Sequence, residues 1–132
     1  MNSKIFNIKE ANNLIPWIDS SFKTIKKHQE KLKLITDKYI KLKDKVLGNG
    51  FVNHDKDFSS LESAIKTEQT KIDEILKKIS VLGIIIRDIN LGIIDFHSIT
   101  NEKHIFLCWK IGESYIKYWH LQDEGFNQRK LL

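Results

Sequence analysis

At 132 residues the chain is long enough to bury roughly two-thirds of its unfolded surface, so one domain folding without disulfide staples is expected. Its single cysteine, Cys108, excludes an intramolecular disulfide and fits a reducing, cytoplasmic setting, and no stretch approaches the roughly 20 apolar residues of a membrane span. The net charge of +5 comes largely from lysines between Lys23 and Lys45, which on a long helix ordinarily form its solvated face, although nucleic-acid binding would rest on the same stripe.

Asn7-Ile8-Lys9-Glu10 has the form of a capping box, with Phe6 as a staple before it, so a helix is expected to start near Ile8. Pro16 then predicts a kink or a break, because proline lacks an amide and its ring crowds the carbonyl of Asn12. Apolar residues follow in steps of three and four: Ile18, Phe22, Ile25, Leu32, Ile35, Tyr39, Leu42 and Val46, with Gln29 as the polar seam position. Gly48-Asn49-Gly50 predicts the helix end, and a polar loop carrying Phe51 and His54 follows. Ser59-Ser60-Leu61-Glu62 reads as a second capping box, after which Leu61, Ile65, Ile72, Ile75, Ile79 and Leu82 repeat the alternation around Glu68 until Gly83. Residues 8–82 are therefore expected to form a coiled-coil-like antiparallel helical hairpin. Its first helix is the longer, and its N-terminal overhang is expected to pack on whatever follows.

Residues 83–132 change character. Ile84-Ile85-Ile86-Arg87-Asp88, Ile93-Ile94-Asp95-Phe96, His104 to Lys110 and Tyr115 to His120 read as strands, with a polar turn from His97 to Glu102 and a hairpin turn at Gly112-Glu113. The expected class is α+β: a helical hairpin followed by a four-stranded antiparallel β-meander and a tail without periodicity. Apolar positions left over on the helices, among them Leu34, Ile40 and Leu76, predict a homodimer.

The ordered set Gly92-Ile93-Ile94-Asp95-Phe96, Leu107-Cys108-Trp109, Gly112-Glu113, Tyr118-Trp119-His120, Gly125-Phe126 and Arg129, with Glu10 to Pro16 near the start, resembles a small uncharacterised family. This is domain of unknown function 2203, found in bacteria, archaea and plastids, and some of its members carry a cell-division label. The resemblance covers nearly the whole chain and implies no established activity. His97 and Gln128 depart from it, standing where the family usually has proline and glycine.

Two sets of candidate residues emerge. Arg87 and Arg129 are the only arginines in a lysine-rich chain, and a planar fork of donors suits either an ion pair with Glu113 or an anionic ligand beside Trp119. His120, with His104 and Asp95 or Asp123, makes a candidate transition-metal site. Cys108 reads as a small buried hydrophobe, because the two hairpin registers considered place it either on the opposite face from His120 or about 13 Å along the sheet. The reading that follows is a non-catalytic dimeric binding or scaffolding module. Its helices self-associate, and its sheet and tail contact a protein or a small anion. No cofactor is required by it; a metal-binding protein or metalloenzyme is the alternative, and nucleic-acid binding through the lysine helix is the third.

Overall fold

The computed structural model describes residues 4–49 and 53–132. Helix α1 runs from Ile8 to Asn49 and α2 from Asp55 to Val81; the strands are β1 (Ile85–Asp88), β2 (Ile93–Thr100), β3 (Lys103–Lys110), β4 (Tyr118–Leu121) and β5 (Lys130–Leu131). The chain forms two compact units, one comprising residues up to Phe22 together with Leu76–Leu132, the other Lys23–Ile75. Among the described residues no helix is long and apolar enough to cross a membrane.

In the first unit the capping box closes as the residue types require. The Asn7 amide donates to Glu10 Oε1 at 3.0 Å, and the Glu10 amide donates to Asn7 Oδ1 at 2.7 Å. Helix α1 passes through Pro16 without a break. Ala11, Ile15, Ile18 and Phe22 are buried within this unit, so the overhang of α1 belongs with the sheet. Asn12 makes the tie specific by accepting the Ile116 amide at 2.7 Å. At the other helix end, Gly83 takes φ +91°, and its amide satisfies the Ser80 carbonyl at 2.9 Å.

The sheet is fully antiparallel with strands in the order β1 to β5, a meander of five strands where four are expected. The extra strand comes from the tail, where Lys130 and Leu131 pair with Trp119 and Tyr118. The turn expected over His97 to Glu102 contracts to Asn101-Glu102, because Thr100 pairs with Lys103 and both intervening residues take positive φ, 51° and 64°. The connection from β3 to β4 moves the other way. It occupies residues 111–117 rather than a tight turn at Gly112-Glu113, and it tucks Ile116 into the core. Gly92 permits this path: at φ +66° its amide plane approaches Ile111, and a Cβ there would lie 2.7 Å from the Ile111 side chain.

One sheet face carries Ile94, Phe96 and Ser98 opposite Trp109, Leu107 and Ile105, with Trp119 and Leu121 continuing the row. This face is core, and Phe6 meets Phe96 edge to face at 5.0 Å. The other face carries Asp95, His97, Phe106, Cys108, Tyr118 and His120.

In the second unit, Ile25 and Ile72 are buried, and Tyr39 meets Phe58 at 5.3 Å. The polar seam residue Glu68 finds His28, at 2.6 Å. Helix α2 begins a turn earlier than Ser59, where Asn53 Oδ1 accepts the Asp55 amide at 2.9 Å; the expected capping box at Ser59 to Glu62 lies inside the helix instead. Gly50 and Phe51 lie outside the described residues.

Candidate metal centre

The second sheet face owes its chemistry to a repeated local pattern. Ile94-Asp95-Phe96, Leu107-Cys108-Trp109 and Trp119-His120-Leu121 each place one reactive residue between two large apolar ones, on three successive strands. Since side chains alternate along a strand, packing the apolar pairs on one face, buried on β2 and β3 and half-buried on β4, turns all three reactive side chains to the other. Register completes the convergence: Asp95 stands directly opposite Cys108, and Cys108 opposite Tyr118, which brings His120 to the diagonal position. One ligand atom from each of Asp95, Cys108 and His120 lies within 4.8 Å of the others. The residues are 1 %, 0 % and 2 % exposed, so the cluster is buried.

The separation of Cys108 from His120 expected from the sequence is thereby overturned. Both registers considered there assumed a short turn, whereas the connection 111–117 slides β4 along β3 until the two residues are diagonal neighbours. His104, expected to join His120, sits elsewhere; its Nδ1 is 2.9 Å from His97 Nε2, and Gln122 Nε2 is 3.3 Å from that same His97 nitrogen. Asp123 belongs to the rim of a pocket above the cluster and is not one of the three converging residues.

Hydrogen bonds fix the orientation of each donor. His120 Nδ1 lies 2.8 Å from the Leu121 carbonyl oxygen, which can only accept, so this nitrogen carries the proton and Nε2 faces the cluster. Nε2 is 3.0 Å from both Asp95 oxygens. Asp95 also accepts from Arg87 Nε at 2.7 Å, and Arg87 reaches it because the register shifts between Ile86 and Asp88, a β-bulge that re-aims the side chain. Burial pushes the Cys108 thiol up to about 12, with the Asp95 charge and hydrogen bond adding to the rise and Arg129 opposing it. Such a thiol is a poor nucleophile.

Glu113 and Arg129 find each other. Arg129 NH1 is 3.1 and 3.0 Å from the two Glu113 oxygens, and Glu113 Oε1 also accepts the Lys110 amide at 2.8 Å. The guanidinium stacks over Phe126 at 3.9 Å and Tyr118 at 4.2 Å, so the tail is laid across the sheet beside Cys108. Gln128, one of the departures from the family pattern, stabilises this path by accepting the Gly125 amide at 2.6 Å. Lys130 holds Glu124 at 2.6 Å, and this bond with the Leu121 amide lowers the Glu124 carboxyl below its ordinary range. Trp119 lies on the opposite sheet face from Arg87, under Lys130 at 4.9 Å, and so is not brought to the same ligand.

The family profile described as Uncharacterized conserved protein (DUF2203) matches residues 4–132. The chain belongs to this family. No curated protein and no solved structure matches it. In this DUF2203 chain, Arg87, Asp95, Cys108 and His120 border one pocket of about 390 Å³. The sequence singles out Arg87, Glu113, Trp119, Arg129, His104, His120 and Asp95; the fold brings Cys108, set apart there from His120, next to Asp95 and His120. The signal available for it was the threefold apolar-reactive-apolar pattern.

Proposed function

We propose that the protein binds a divalent transition metal through Asp95, Cys108 and His120. The observation that supports this reading is the convergence of a carboxylate, a thiol and an imidazole within 4.8 Å in a buried site. A tetrahedral ion with bonds of about 2.0 to 2.3 Å places its donors roughly 3.3 to 3.8 Å apart, so the His120–Asp95 pair at 3.0 Å needs to open by a few tenths of an ångström and the widest separation to close by about 1 Å. A set of oxygen, nitrogen and sulfur donors suits zinc or another late first-row ion better than magnesium or calcium. His120 has the orientation expected of a ligand, with Nδ1 tied to a backbone carbonyl and Nε2 turned to the other donors. Three protein donors leave the fourth position open, the arrangement of catalytic rather than structural zinc sites.

The lone cysteine and this use of it suit the reducing cytoplasm. A second reading, self-association through the helices, is supported by Leu34, Ile40 and Leu47, which are exposed along α1. The test of the metal reading is elemental analysis of protein purified without a metal-affinity tag and dialysed against zinc. One ion per chain is expected, lost in Cys108→Ser and His120→Ala and kept in His104→Ala. Equal loss from His104→Ala, or substoichiometric metal in the parent protein, would remove the proposal.

A further inference from the structure

We infer that the open position of the centre takes a small monovalent oxyanion of the carboxylate or bicarbonate class, with one oxygen on the metal and another on the Arg87 guanidinium. This inference rests on the metal reading above. Arg87 carries it. Its Nε is committed to Asp95 and its guanidinium carbon lies 5.0 Å over the Phe106 ring, but among the described residues its two terminal nitrogens have no acceptor, and the side chain is 45 % exposed where it lines the pocket. Arg129 offers the contrast, being stacked between two rings, bonded to Glu113 and 14 % exposed. A guanidinium fork held rigid at one nitrogen and free at the others presents paired donors to a planar oxyanion, which a lysine cannot do.

Charge narrows the class. Arg87 is the cation among the residues lining the pocket, so an anion is the ligand its open donors suit. One negative charge on the ligand neutralises it. Glu124 is already held by Lys130 at 2.6 Å, while the Asp123 carboxylate on the rim disfavours a second negative charge. The pocket of about 390 Å³ has ample room for an ion of a few heavy atoms.

The test uses the full chain loaded with cobalt(II), whose thiolate charge-transfer band reports the centre and whose visible bands report the fourth ligand. Acetate is the probe. It is expected to shift the visible bands saturably, to bind about tenfold or more weakly in Arg87→Met, and to bind severalfold more tightly in Asp123→Asn, which removes a negative charge from the pocket lining. Absence of the charge-transfer band would overturn the metal reading underneath. A normal charge-transfer band with visible bands indifferent to acetate would overturn the oxyanion alone. Should Arg87→Met lose the metal, Asp123→Asn decides: an unchanged acetate affinity there overturns the inference.

Discussion

Cys108 is the residue whose chemistry depends most on its surroundings. Held at about 12 against an ordinary 9.0, the thiol favours its protonated form in the fold. The stability this contributes is complete below pH 9 and is lost as pH rises through 12. Metal-free protein is therefore expected to lose stability between pH 9 and 11 more steeply than Cys108→Ser, as measured by urea denaturation at each pH. Metal loading reverses the sign, because the ion requires the thiolate. The thiol proton is therefore expected to leave when the ion binds at neutral pH. Calorimetry in buffers of different ionisation enthalpy reads that proton directly, and release of none would contradict ligation by Cys108.

Among the elements, helices were the most legible, because three-four periodicity and the Asn7 to Glu10 capping box are local and the same residues act locally in the fold. The second helix starts earlier than the serine pair predicts for a local reason too: Asn53 Oδ1 accepts the Asp55 amide and so begins the helix ahead of Ser59. Strands existed where alternation placed them, yet their ends were set by side chains reaching across the fold. Ile116, read as part of a strand, is drawn into the core while its amide is claimed by Asn12, and this long-range bond sets the register that unites Cys108 with His120. The two-residue tail strand carries no periodicity to read and exists because β4 offers it an edge. The hairpin Asn101-Glu102 supports a separate prediction. Glu102 sits at φ 64°, which costs a side-chain-bearing residue about 1 to 2 kcal/mol, partly offset in glycine by unfolded-state entropy. Glu102→Gly is expected to stabilise by about 0.5 kcal/mol, seen as a Tm rise of a few degrees; a fall would argue against the left-handed pair.

At the scale of the whole molecule, the apolar side chains exposed along α1 support the proposed dimer, and light scattering at micromolar concentration is expected to give twice the chain mass. Leu34→Glu with Ile40→Glu is expected to shift it to monomer without disturbing metal content, and a parent protein that scatters as a monomer would end the proposal. The meander order has a kinetic consequence. Asp95, Cys108 and His120 occupy β2, β3 and β4, so each is joined to the next by one antiparallel pairing between neighbours in sequence. Short loop closures form early and cheaply. The centre should thus be assembled from local hairpins, and an ion captured there would clamp three strands at once, slowing amide exchange in β4 first.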